Sequence, residues 1–180
     1  VPIKRIVNRV IFDELMNRKD MTKRDFKFTE PVDAEWIGHP NWFFRISKHT
    51  LPFLKNPYVP ESIFLNELDG IPQDLDQYVL KPLYSFAGSG VVINLNRFDI
   101  ENIKDPKNYI LQRKVAYAPV VDTPSQPAKC EVRMLMLWNK GDAKPRIVNN
   151  LVRVSKGAMV GVRYNKNKDW VGGSVGFFES

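Results

Sequence analysis

The sequence predicts an α+β fold arranged as two α+β lobes with mostly antiparallel sheets. Three observations predict it. Apolar residues in the first third recur at helical spacing, a glycine-tipped hairpin pattern spans residues 78–95, and strand-like runs separated by short turns dominate residues 109–164. The chain has 180 residues, of which 43% are hydrophobic and 26% charged. That balance belongs to a globular protein able to bury a core, not to a disordered chain.

Ile3, Ile6, Val7, Val10, Ile11 and Leu15 fall at helical spacing over residues 1–18, with a short strand leading into the helix as the alternative. Residues 19–35 are polar and read as a connection. A second helix is expected over Gly38–Lys48, because Pro40 suits a first turn and Trp42, Phe43 and Ile46 share a face. Pro60 is expected to start a short helix with Phe64, Leu65 and Leu68 on its apolar side, closed by Asp69-Gly70. Residues 78–83 read as a strand, Ser85–Gly90 as a turn and Val91–Leu95 as the returning strand. A short helix or turn over Ile100–Asn108 and a strand over Tyr109–Val115 follow. Ala118–Ala128 holds three prolines and reads as a loop. The last strands are expected at Glu131–Trp138, Arg146–Ser155 and Met159–Tyr164. The alternation of Met134 and Met136 with Leu135 and Leu137 makes the first of these apolar on both faces, hence central and core.

Composition narrows the function classes. A lone cysteine, Cys130, excludes an internal disulfide, and with only His39 and His49 beside it there is no Cys/His zinc set. Cys130 and His39 read as structural. Asp13 and Glu14 are adjacent and read as a solvated pair, not an acid–base couple. No apolar run approaches the roughly 20 residues that cross a bilayer, so a cytoplasmic setting without a membrane partner is expected. The net charge of +7 favours a polyanion, either nucleic acid or a nucleotide triphosphate. The basic residues are scattered and not gathered in one run, so charge alone decides little; nucleic acid is not the expected partner. The oligomeric state is not legible. The chain opens on Val1, so a fragment of a longer protein is expected.

The chemistry centres on Lys81 and Gly88-Ser89-Gly90. A lysine fixed on a strand can aim its ammonium at phosphate oxygens, and glycines let backbone N–H groups approach the same phosphates. The pattern is neither a Walker loop nor a dinucleotide fingerprint. On these residues alone a plain hairpin with a Gly-rich turn and an exposed lysine is the better reading. The order of further features discriminates. Arg45-Ile-Ser-Lys48 and Val59-Pro-Glu-Ser62 lie upstream; Ile110-Leu-Gln-Arg-Lys-Val115, Glu131-Val-Arg133, Arg153, Asn165 and Gly172-Gly173 lie downstream.

This ordered set resembles the ATP-grasp family over roughly residues 40–175. The resemblance implies an ATP-grasp fold, with residues 1–55 as the end of a preceding domain and a linker helix, 56–116 as the small lobe with its glycine-loop hairpin, and 117–180 as part of the large lobe. It implies an ATP-dependent carboxylate–amine ligase that forms an acyl phosphate, with ATP and Mg²⁺ as cofactors and a small molecule or peptide as substrate. Lys48 and Lys81 would bind phosphates, Gly88, Ser89 and Gly90 would form the lid, and the backbone near Gln112, Arg113, Lys114 and Val115 would meet adenine. Arg133 or Arg153 would steady the acyl phosphate, since a guanidinium fork suits phosphate. The family's acidic metal strand has no match here. Glu131, Asn149, Asn150 and Asp169 are the substitutes on offer. A nucleotide-binding domain without catalysis, or a basic nucleic-acid-binding module, are the alternatives. The aromatic group Trp36, Trp42, Phe43 and Phe44 reads as packing between domains.

Overall fold

The computed structural model describes residues 2–11, 15, 18, 20 and 30–177. It is α+β, and the chain divides into two units, Val1–Lys114 and Val115–Ser180.

The first unit opens with a strand, not a helix. β1 (Arg5–Val7) pairs in parallel with β2 (Glu35–Ile37), and Arg5 Nε meets Glu35 Oε2 at 2.8 Å across the register. Helical bonding begins only beyond it, where the Leu15 N–H donates to the Ile11 carbonyl at 2.9 Å. Asp13, Glu14 and most of the polar connection lie outside the described residues.

The helix expected over Gly38–Lys48 is one turn, Trp42–Arg45. Ser47 ends it by accepting a hydrogen bond from the His49 N–H and so starting a separate 3-10 helix, Lys48–Phe53. The expected helix after Pro60 is absent. Ser62–Phe64 forms strand β3, followed by a 3-10 turn at Leu65–Glu67. Its buried–exposed–buried alternation is a strand's period of two.

β3 pairs antiparallel with β5 (Tyr109–Arg113), which also pairs antiparallel with β4 (Tyr78–Pro82). The sheet order β3-β5-β4 makes β5 central, so Ile110, Leu111 and Gln112 are all buried. One face buries Leu80 and Leu111 against Leu65 and Leu95, with Ile100 and Ile103 packed over them. Each fully buried leucine contributes about 1.5–3 kcal/mol. Ile100 lies on a short helix, Arg97–Glu101, started by a reciprocal capping box between Asn96 and Asp99. The other face buries Phe64, Leu83 and Ile110 beneath Leu51 and Tyr84. The returning strand Val91–Leu95 reduces to a single bridge, Leu80–Val92, with both bonds at 3.0 Å.

The second unit is a four-stranded antiparallel sheet in the order β6-β7-β8-β9. β6 (Pro119–Val121) forms inside the segment read as a loop. β7 (Ala128–Leu137) and β8 (Arg146–Ser155) make a long hairpin, and β9 (Gly172–Ser174) closes the sheet. β7 is central, but it is not core. Val132, Met134, Leu135, Met136 and Leu137 all remain exposed.

The strand expected at Met159–Tyr164 is a loop with a 3-10 turn at Val162–Tyr164. The Asn165 side chain causes this. Its amide donates to the Met159 and Gly161 carbonyls, at 3.2 and 2.8 Å, while its oxygen accepts from the backbone N–H groups of Lys156 and Gly157, both at 2.9 Å. Among the described residues, no helix is long and apolar enough to cross a membrane.

Candidate functional site

Strand alternation on β4 and β5 decides which residues gather in the first unit. The register sets Phe64, Ile110 and Lys81 in one row across the sheet, and Ser62, Gln112 and Val79 in the next. These six share a face, opposite that of Leu80 and Leu111. Lys81 Nζ donates to Gln112 Oε1 at 2.5 Å, and Gln112 Nε2 donates to Ser62 Oγ at 2.8 Å. Burial lowers the Lys81 pKa from the ordinary lysine value, because a half-buried ammonium loses hydration.

The 3-10 helix Lys48–Phe53 covers this same face. His49 and Phe53 lie 5.1 and 5.6 Å from the Phe64 ring, centroid to centroid. Lys48, at its start, donates to the Ser85 carbonyl at 2.6 Å and to Ser85 Oγ at 3.2 Å. Lys48 is thereby fixed at the root of the glycine turn.

The turn itself is tightly wound. Ala87, Gly88 and Gly90 have φ of 49°, 77° and 69°, and the Ser89 N–H donates to the Phe86 carbonyl at 2.8 Å. A Cβ at position 90 would stand 2.7 Å from Pro82 Cγ, so the turn closes back on the end of β4. Phe86 stacks on Phe43 at 4.9 Å, and Tyr84 meets Phe44 edge-on at 5.3 Å. Phe43 and Phe44 therefore pack within the first unit, against the segment leading into the turn. Trp36 meets His39 edge-on, and Trp42 is exposed.

The residues expected at adenine lie differently. The Gln112 side chain is turned into the sheet, 6% exposed. The Arg113 and Lys114 N–H groups donate to the carbonyls of Glu61 and Gln77, each at 2.8 Å. The Arg113 guanidinium bonds Asp74 at 2.7 Å and sits 4.3 Å over the Tyr78 ring; the bond to Asp74 is the main cause of its raised pKa. Lys114 Nζ bonds the Asp76 carbonyl, and Val115 is exposed.

In the second unit, the β7–β8 register pairs Glu131 with Arg153, Arg133 with Leu151 and Leu135 with Asn149. Glu131, Arg133, Arg153 and Asn149 thus share one face. Glu131 Oε1 takes Arg133 Nε at 2.6 Å and lies 3.5 Å from Arg153 Nη1. Asn150 faces the other way and exchanges two bonds with the backbone of Gly176, at 2.6 and 2.9 Å. Asn149 accepts from the Asn150 N–H at 2.8 Å.

Asp169 bonds Lys156 at 3.2 Å, and Lys156 also reaches Ser125 at 2.7 Å. The Lys156 side chain is 2% exposed, which its place in a run of basic residues gave no reason to expect. The four substitutes for magnesium ligands are therefore split between two strand faces and a separate ion pair. Among the described residues no group of three or more His, Cys, Asp or Glu could hold a metal ion. This donor set does not fit magnesium, which needs converging carboxylates.

No protein-family model, curated protein or solved structure matches the chain. The functional reading therefore rests on the residues themselves. Sequence reasoning passed over Ser62, Ser85 and Phe86. Ser62 lies within the quoted Val59-Pro-Glu-Ser62 segment, yet only the pairing of β3 with β5 gives it a partner.

Proposed function

We propose that the first unit binds the phosphates of ATP, and that the chain acts as the ATP-binding part of an ATP-grasp-type ligase. The observation that carries the reading is the bond from Lys48 to Ser85. It sets one ammonium at the root of the glycine turn, on the sheet face from which Lys81 projects. Two cations beside a glycine turn suit a polyphosphate. Lys48 can exchange its carbonyl partner for a phosphate oxygen, a charge-assisted bond of greater strength.

In the proposed reaction a substrate carboxylate oxygen attacks the γ-phosphorus, and the bond to the ADP oxygen breaks. An amine then attacks the acyl carbonyl, losing its proton, and inorganic phosphate leaves. Lys48 and Lys81 offset phosphate charge. In the second unit, taken by itself, Glu131 holds the guanidinium groups of Arg133 and Arg153 on one strand face, an arrangement that suits a phosphate.

A second reading is nucleotide binding without ligation, favoured by the engagement of Glu131, Asn149 and Asn150 elsewhere. Thermal unfolding with ATP, with ATP plus magnesium, and with single-stranded oligonucleotide tests the binding. A ligand at a hundredfold excess over its Kd adds about 2.7 kcal/mol. No shift with either form of ATP refutes both readings, and a shift with oligonucleotide alone favours a nucleic-acid partner. An intact shift in Lys81→Ala refutes the phosphate assignment. ADP release driven by mixtures of carboxylic acids and amines separates ligase from pure binder.

A further inference from the structure

The hydrogen bonds behind Lys81 run in one direction. The Ser62 hydroxyl donates its single proton to the Pro60 carbonyl at 3.1 Å, so it meets Gln112 only with lone pairs. The Gln112 amide must then turn its NH₂ to Ser62, at 2.8 Å, and its oxygen to Lys81. Flipping the amide would set NH₂ against an ammonium and oxygen against a lone pair. Ser62 and Gln112 are 3% and 6% exposed, so water cannot relieve the mismatch.

We propose that Gln112 and Ser62 are positioning residues for Lys81: they hold its ammonium on the β4 face through a neutral acceptor, leaving its full charge for a phosphate. The proposal rests on Lys81 as a phosphate ligand. An ammonium has three donors; Gln112 engages one, and the other two point to ligand oxygens. A carboxylate at 112 would orient Lys81 equally well but would cancel its charge. An apolar residue would leave a half-buried ammonium without its acceptor and favour loss of its proton. Burial already lowers the Lys81 pKa. Glutamine both orients the ammonium and leaves its charge intact.

The test is the Lys81 titration in the full chain, read from lysine ¹³Cε resonances, with Lys81 assigned by Lys81→Arg. Lys48 and His49 in the overlying 3-10 helix, Tyr84 on the same face, and Glu61 and Arg113 at the strand ends are the charged and titratable groups of the elements packed here. They are common to every variant.

Gln112→Glu is expected to raise the Lys81 pKa and weaken ATP binding at least tenfold. Gln112→Leu is expected to lower the Lys81 pKa and to move the alkaline loss of ATP binding to lower pH. Ser62→Ala, which does not touch Lys81, should shift its titration in the same direction as Gln112→Leu; Ser62→Cys serves if the alanine variant does not fold. Unmoved Lys81 titration in folded Gln112→Glu and Gln112→Leu overturns the inference. Because that measurement needs no nucleotide, a wild-type chain that ignores ATP refutes the proposed function separately.

Discussion

Asn165, together with the buried Ser155 hydroxyl, closes the loop after β8, and replacing it measures its contribution. Its amide takes part in five hydrogen bonds: three accepted from Ser155 Oγ and the N–H groups of Lys156 and Gly157, two donated to Met159 and Gly161. At about 0.5–1.5 kcal/mol net for each bond, Asn165→Ala could forfeit several kcal/mol. Asn165 is half-buried, so water recovers part, and the expected loss is about 2–4 kcal/mol. Urea unfolding of the full chain reads it. Trp138 and Trp170 report on the second unit once Trp36 and Trp42 are changed to phenylalanine. Asn165→Asp keeps the acceptor bonds but sets a carboxylate against two carbonyls, and should recover part of its loss when protonated. A cost below about 0.5 kcal/mol for Asn165→Ala, with unchanged m-value, refutes the loop's dependence on this amide.

Three further substitutions probe the backbone and charge. Gly157→Ala places a Cβ 2.3 Å from the Tyr164 carbonyl oxygen, a backbone obstacle, and should cost more than about 2 kcal/mol in urea unfolding. Gly90→Ala combines φ of +69° with a contact at 2.7 Å to Pro82. It should cost about 1–2 kcal/mol by the same measurement and weaken ATP binding in calorimetry. The hydrogen bond from Lys156 is the main cause holding the Asp169 carboxyl below its ordinary pKa. A depressed carboxylate stabilises the fold above its unfolded pKa of about 3.9 and loses that contribution as pH falls through its lower folded value. Asp169→Asn should therefore be less stable than wild type near pH 7, and the difference should close below about pH 4 in pH-dependent melting.

β8 was legible end to end, because Gly141-Asp142 precedes it and Gly157 follows it, with a run rich in β-branched residues between. β4 was legible for the same reason. β3 was not: Ser62-Ile-Phe-Leu65 is too short for periodicity to separate helix from strand, and pairing with β5 decides it. Residues 159–164 carry strand-forming side chains, yet the amide of Asn165, just beyond them, takes the carbonyls of Met159 and Gly161.

Lys48, Lys81 and the glycine turn stood out in the sequence; the β4–β5 register gives Lys81 its face, and the bond to Ser85 ties Lys48 to the segment entering the turn. The bonds of Gln112 to Lys81 and Ser62 were not legible. A strand-end residue and a central-strand residue look alike until the third strand arrives. The exposure of β7 was equally hidden, since an apolar strand reads the same whether or not its faces are covered.

The β7–β8 hairpin also bears on the order of folding. Its strands are joined by the short turn of residues 138–145, whereas β3 must find β5, and β1 must find β2, across far longer stretches of chain. Loop closure costs about 0.6 kcal/mol for each doubling of length, so the hairpin closes at a smaller entropic cost than either of those two pairings. It should form before them, with Met134, Met136 and Leu137 open to solvent. During refolding at high protein concentration, this hairpin is where chains would first adhere to one another.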